Sequence, residues 1–274
     1  MKALYDKIAI RSSRDITKTY STSFSLGIKL LSSRLRDPIY AIYGFVRLAD
    51  EIVDSFHGYS QSKMLAQLKK DVFKAIEDEI SINPVLHSFQ YVVREYNIDK
   101  ELISSFLESM EMDLQKHYYT RPLYDKYIYG SAEVVGLMCL KVFCENDKSL
   151  YEELKYPAMK LGSAFQKVNF LRDIKSDSTE LGRVYFPHVN LDKFSEAEKI
   201  NIEKEIAKDF KEALKGILRL PRSSQKGVYL AYRYYQALLK RIQLTPANKI
   251  LATRIRVPDT QKIAMLCRHL IVQR

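Results

Sequence analysis

Apolar residues recur at i, i+3, i+4 and i+7 along most of the chain, and only short polar breaks interrupt them. The breaks fall around Asp37-Pro38, Asn83-Pro84, Arg121-Pro122, Leu220-Pro221 and Pro246. With 9 Gly and 8 Pro in 274 residues there is little turn material for a sheet-rich fold, while 46% apolar content supports a large helical core. The expectation is an all-α protein in which residues 1–274 form one domain. Pro38, Pro84 and Pro246 are expected in first helical turns, where a missing N–H costs nothing. The main exception is SDSTELGRVYFPHVN, Ser176 to Asn190, where the periodicity fails and an ordered loop is expected.

The amino terminus, MKALYDKIAIRSSRD, is charged throughout and lacks the apolar stretch of a signal peptide, and no window reaches 18 uninterrupted apolar residues. A chain neither exported nor membrane-spanning is expected, residing in the cytoplasm. Cys139, Cys144 and Cys267 show no CxxC or Cys/His metal spacing, so each is expected as a reduced core residue. The net charge of +11 is concentrated. From Ala213 to Arg274 there are 13 Lys or Arg against one acid, Asp259, so that segment is +12 and the first 212 residues sum to −1.

The run FVRLADEIVDSF, residues 45 to 56, places an arginine and three carboxylates in otherwise apolar surroundings. With each residue advancing about 100° on a helix, Asp54, Arg47 and Tyr43 fall within about 60° of Asp50, and Glu51 stands beside them. A solvated helix shows a broad polar face, so a narrow stripe inside an apolar cylinder faces a polar cavity. The segment LGSAFQKVNFLRDIKSD, residues 161 to 177, repeats the arrangement: Gln166, Asn169, Asp173 and Asp177 share one line.

A single DxxxD pair is more often surface decoration than chemistry. Two such pairs, each in an apolar helix, are harder to dismiss. Carboxylates converging at about 6 Å repel by roughly 3 kcal/mol per pair at an effective dielectric of about 20, so something cationic must sit among them. Arg47 and Arg172 are structural candidates. The alternative is a divalent metal, and all-oxygen ligands on rigid helices suit Mg²⁺ bridging to substrate phosphates.

At this point the chain resembles the head-to-head prenyl synthases, the squalene and phytoene synthases. The resemblance covers nearly the whole chain and rests on YSTSFS (20 to 25), YAIYGFVRLADEIVD (40 to 54), SMEMDL (109 to 114), YIYGSAEVVGLM (127 to 138), QKVNFLRDIKSD (166 to 177) and GRVYFP (182 to 187). The LGSAFQKVNFLRD run is especially similar to bacterial phytoene synthases of carotenoid pathways. What this implies is the all-α isoprenoid synthase fold, with Asp50, Asp54, Asp173 and Asp177 holding Mg²⁺, or Mn²⁺ in its place, against diphosphate. Gln166 and Asn169 complete the second metal face, Asn169 as a ligand. Arg47, Tyr43, Ser21, Ser23, Tyr127, Arg172, Arg183 and Tyr185 fall where relatives contact diphosphate or close over it, with Tyr235 and Arg254 further along. Two departures are visible: Tyr20 replaces a basic or amide residue, and Glu133 interrupts the small-residue run from Ala132 to Gly136.

The implied reaction condenses two geranylgeranyl diphosphates through a cyclopropyl (prephytoene) diphosphate to phytoene, with Phe24, Leu26, Ile28, Phe45, Val134, Leu137, Met138 and Phe165 as dry walls. Aliphatic Ile28 favours a C20 substrate, and the absence of a GxGxxG run agrees with no NADPH requirement. The alternative within the family is a squalene or dehydrosqualene synthase using farnesyl diphosphate. A rival of another class is a metal-free helical protein that docks on nucleic acid through YLAYRYYQALLKRI. That run reads better as an amphipathic helix, so no nucleic-acid partner is expected. The basic carboxy-terminal segment is a candidate for peripheral association with anionic membrane.

Overall fold

The computed structural model describes residues 1–274 except 116–118, 188, 192–193, 259, 263 and 267–274. Among the described residues there is no strand, as the apolar periodicity requires. α1 (Lys2–Tyr20), α2 (Thr22–Lys29) and α3 (Ser33–Asp54) open the chain, followed by α4 (Gln61–Asp78), α5 (Pro84–Glu95) and α6 (Lys100–Asp113). α7 (Arg121–Ile128) passes through a π-helical turn, Tyr129–Glu133, into α8 (Val134–Phe143). α9 (Lys148–Thr179), α10 (Glu196–Ile217), α11 (Arg222–Gln243) and the short α12 (Ala247–Ile250) follow. With 32 residues at 1.5 Å each, α9 is about 48 Å long and forms one full wall of the molecule.

Side-chain chemistry sets several boundaries. Asn83 caps α5 by accepting from the Val85 and Leu86 amides, with Pro84 in the first turn. Ser195 and Glu198 form a reciprocal capping box on α10, and Asp147 caps α9 through the Leu150 amide. Pro246 is the residue preceding α12. Pro38, in contrast, does not open a helix. α3 begins at Ser33, so Pro38 lies in its second turn, where it deprives only the carbonyl of exposed Arg34, which water can reach. The loop expected from Ser176 also starts later, because α9 continues to Thr179. The Ser176, Ser178 and Thr179 hydroxyls donate to the carbonyls of Asp173 and Lys175, holding polar residues in a helix after the apolar pattern has ended.

Packing fixes how these helices approach. Phe45 of α3 stacks on Phe89 of α5 with centroids 4.1 Å apart, and Phe106 of α6 meets it edge-on. Lys167 of α9 is buried and donates to both Glu205 and Asp209 of α10 at 2.6 Å each, which ties those two helices together. Two glycines permit close approach. A Cβ on Gly162 would lie 2.5 Å from the carbonyl oxygen of Ala132, and one on Gly216 would lie 2.3 Å from the ring of Pro157 inside α9. Cys139 and Cys144 are free, Cys144 in the core; Cys267 lies outside the described residues. Among the described residues no helix is long and apolar enough to cross a membrane.

The Gly162 contact is with backbone, which cannot swing aside. Gly162→Ala is therefore expected to destabilise the protein by about 1–3 kcal/mol despite its better helix propensity. For a chain of this size that is a fall of roughly 2–10 °C in melting temperature, measured by circular dichroism; an unchanged or higher melting temperature would contradict the close packing.

Candidate active site

The helices enclose a cavity of about 1040 Å³ with a polar mouth and an apolar depth. The carboxy-terminal halves of α3 and α9 form opposite sides of the mouth. α3 contributes Tyr43, Arg47, Asp50 and Asp54; α9 contributes Gln166, Asn169, Arg172, Asp173 and Asp177. Arg183 and Tyr185 follow α9, Tyr127 ends α7, Ser21 and Phe24 enter from the start of α2, and Tyr235 and Arg254 come from α11 and beyond α12. The stripes read from helical spacing thus face one cavity. Ser23 does not line it. Ser21, Phe24, Gly27, Ile28 and Leu31 do, at helical spacing, and Ser23 falls about 200° from Ser21 on that helix.

The walls differ from expectation in a systematic way. Phe24, Ile28 and Phe165 line the cavity, but Leu26, Phe45, Val134, Leu137 and Met138 do not. Phe45 is spent on the Phe89 stack, and on α8 the cavity meets Val135, Gly136, Cys139, Leu140 and Phe143 instead. The π turn is the cause, since it inserts an extra residue into one helical turn and rotates everything beyond it. Glu133 closes that turn. It is buried away from the cavity, 3.9 Å from Lys160 of α9, so it interrupts no cavity wall.

Arginines neutralise some of the carboxylates. Arg183 pairs with Asp54 at 2.6 Å, and Arg254 with Asp173 at 2.7 Å. Arg172 also forks onto Asp173. Arg47 is engaged by Glu51 at 2.7 Å, and its guanidinium sits 4.1 Å from the ring centroid of Tyr20, whose hydroxyl reaches the same Glu51. Tyr20 therefore braces Arg47. Asp50 and Asp177 make no ion pair among the described residues. Burial first, then the charge of Asp54, pushes Asp50 up to about 7; burial, then Asp173 and Asp54, pushes Asp177 up to about 8. The influence of Asp54 on Asp177 joins the two helices electrostatically.

One functional candidate escaped the sequence reading. Asp113, the last residue of α6, is buried at the cavity mouth and accepts from the Tyr127 and Tyr185 hydroxyls at 2.7 and 2.9 Å. Burial, opposed by nearby Arg183, pushes its carboxyl up to about 6. Its signal was one acid flanked by apolar residues in SMEMDL, which spacing alone does not separate from Glu108 and Glu111.

The donor set suits Mg²⁺. An unpaired carboxylate on each of two facing helices would suit a divalent cation, while among the described residues no three His, Cys, Asp or Glu side chains converge to hold an ion unaided. Mg²⁺ keeps several waters and binds through one or two carboxylates plus phosphate oxygens, which matches such an open set.

The squalene/phytoene synthase family model matches residues 17–261, and the chain belongs to that family. Phytoene synthase 1, chloroplastic, of Arabidopsis thaliana is 29% identical over 276 residues, covering 92% of this chain and 64% of the plant protein. The phytoene synthase of Rhodobacter capsulatus is 31% identical over 182 residues, covering 64% of this chain and 50% of its own. The chain thus spans roughly half to two thirds of the length of these relatives. A crystal structure of a dehydrosqualene synthase in complex with ligand superposes with a TM-score of 0.81 at 22% identity, covering 98% of this chain and 97% of that one. The fold is the all-α isoprenoid synthase fold.

Because Asp50 and Asp177 titrate higher folded than unfolded, their stabilising effect is complete at low pH and is lost as pH rises through their folded values. In metal-free buffer the melting temperature is expected to fall between about pH 4 and about pH 8, from the unfolded carboxyl value to the folded ones, and Asp177→Asn should flatten that fall. Parallel curves for the two proteins would refute the assignment.

Proposed function

We propose that the chain is a magnesium-dependent prenyltransferase that joins two geranylgeranyl diphosphates head to head, by way of a cyclopropyl (prephytoene) diphosphate, to give phytoene and release diphosphate. The observation that carries this reading is the junction of a carboxylate and arginine mouth with a long apolar cavity. Along α9 the lining runs from Leu154 to Asn169, about 22 Å, and an extended C20 chain needs about 20 Å. At 1040 Å³ the cavity exceeds what one drug-sized ligand fills.

Each part of the site has a task. Asp50, Asp54, Asp173, Asp177 and Asn169 would hold Mg²⁺, with Gln166 beside them, and bound metal supplies neutralisation of the charge that develops as diphosphate departs. Arg172, Arg183 and Arg254 sit among these aspartates and can turn to phosphate oxygens once metal satisfies the carboxylates. Arg47, steadied by Glu51 and Tyr20, supplies a further cation at the rim. Tyr43 stays protonated, because burial pushes its hydroxyl up to about 12, and it remains a donor. Deeper in, Phe165 stacks on Tyr235 with centroids 3.8 Å apart and Phe24 packs near both. Their π faces and the aliphatic walls exclude water from a carbocation without offering it a nucleophile.

Ile28, a small aliphatic in the wall, supports the C20 substrate over farnesyl diphosphate. The likeness to a dehydrosqualene synthase structure favours the second reading, a C15-using squalene or dehydrosqualene synthase. Incubation with labelled C15 and C20 diphosphates distinguishes them: phytoene from the C20 substrate, only with Mg²⁺ or Mn²⁺ and unaffected by NADPH, is the expected product. C30 product alone, or a reduced product with NADPH, would overturn the C20 reading. In the same assay Asp50→Asn and Asp173→Asn should each lower turnover at least about 100-fold in folded protein. The nucleic-acid rival loses its platform, because Tyr232, Tyr234 and Tyr235 of α11 are buried.

The basic carboxy-terminal segment gives a weaker surface than its count implies. Lys215 pairs with Glu212, Arg219 with Glu153 and Arg254 with Asp173, while Asp259, Arg268 and Arg274 lie outside the described residues. Lys240 and Lys249 remain exposed beside Leu244, itself 76% exposed, and form the proposed contact with anionic membrane. Cosedimentation with anionic vesicles should weaken in high salt and with Lys240, Arg241 and Lys249 changed to Glu; equal recovery on neutral vesicles would exclude an electrostatic contact.

A further inference from the structure

Asp113 gathers groups from two other segments around one carboxylate. Its side chain is 4% exposed. Tyr127 Oη, from the end of α7, donates to Oδ2 at 2.7 Å; Tyr185 Oη, from the segment after α9, donates to Oδ1 at 2.9 Å; Arg183 Nε stands 3.7 Å from Oδ1. The two tyrosine rings lie 5.0 Å apart, and Tyr185 stacks on Phe170 at 4.1 Å, so ring packing and the hydrogen bond to Asp113 fix each hydroxyl. Both tyrosines and Asp113 border the cavity.

An ionised carboxylate accepts hydrogen bonds and donates none. Both hydroxyl hydrogens are therefore turned onto Asp113; Tyr185 Oη also accepts from Arg183 Nη1 at 3.4 Å, so the lone-pair side left open to the cavity is that of Tyr127. A group so arranged is poorly suited to donate to diphosphate, the role that resemblance implied for Tyr127 and Tyr185. It is well suited to face positive charge on carbon. We infer that Asp113 is a positioning residue that keeps the hydroxyl hydrogens of Tyr127 and Tyr185 on itself, so that neither hydroxyl turns its hydrogen toward a cationic prenyl chain and Tyr127 presents oxygen lone pairs to it. The inference rests on the prenyltransferase reading above. Arg183 serves the arrangement by offsetting the carboxylate's charge on the Oδ1 side, beside Tyr185. An amide in place of the carboxylate would accept from one tyrosine and donate to the other, turning that second hydroxyl's hydrogen toward the cavity.

The test is a mutant cycle on the full chain with Mg²⁺ and labelled geranylgeranyl diphosphate, scoring kcat, KM and product distribution. Asp113→Asn is expected to lower kcat by about 10- to 100-fold with KM within about threefold, and to divert product toward prenyl alcohols as water captures a less stabilised cation. Tyr127→Phe/Tyr185→Phe should show the same diversion, and adding Asp113→Asn to that pair should cost nothing further, since a positioning residue has no effect once the groups it positions are gone. Asp113→Glu should recover part of the normal product ratio. Multiplicative losses in the triple variant, or a raised KM with normal products in Asp113→Asn, would overturn the inference. If Asp113→Asn does not fold, the paired Tyr→Phe variant decides: a shift to alcohols supports the role, and a normal product ratio refutes it. A wild-type protein that releases diphosphate from no prenyl substrate would remove the proposed function itself, and this inference with it.

Discussion

The guanidinium of Arg183 is the tie on which the mouth of the cavity depends. Nη1 pairs with Asp54, Nη2 donates to the carbonyl of Val53 at 3.0 Å, and Nε faces Asp113, while its own backbone amide donates to the carbonyl of Asp177 at 2.7 Å. The ends of α3, α6 and α9 are thereby brought to one point. Without a cation there, the aspartates that those ends carry would repel one another in surroundings too dry to screen them. Arg183 does not neutralise the whole site. Asp50 and Asp177 remain unpaired, so the chain closes around a deficit of positive charge that it does not itself fill.

The two stripes were legible because helical spacing turns sequence distance into direction. Asp50 and Asp54, or Asp173 and Asp177, advance by about 40° from one to the next, and apolar residues elsewhere on each helix leave one direction for the polar set. Ser21 and Ser23 show the limit of motif reading. They lie two residues apart in YSTSFS, but only Ser21 shares the face of Phe24, and it also caps α2 through the Phe24 amide. Asp113 was illegible for a different reason: its partners lie 14 and 72 residues away and meet it only through the packing of α6 against the turn after α7 and the segment after α9. Ends of elements misread where side chains compensate the backbone, as the back-bonded hydroxyls at the end of α9 do.

Close approach accounts for the shape of the cavity as much as the aspartates account for its charge. The π turn before α8 meets α9 through the Ala132 carbonyl and Gly162, and α10 receives the ring of Pro157 against Gly216. Composition shows that glycine is scarce, 9 in 274 residues. Tertiary structure shows where several are used: under the apolar cavity, where a methyl group would meet backbone or ring.

The π turn between α7 and α8 explains the misplaced wall. Counted at constant α-helical period from Tyr127, the same face passes through Val134 and Met138, each about 20° away, with Leu137 about 80° to one side. Beyond Tyr129–Glu133 the phase has slipped by about one residue, and the cavity meets Val135, Gly136 and Cys139 instead. The segment acts as a change of gear within one continuous rod. When related chains are aligned, a one-residue gap here is a change of angle rather than of length: it selects which of two neighbouring side chains the cavity meets, and leaves the residue composition of the wall nearly untouched.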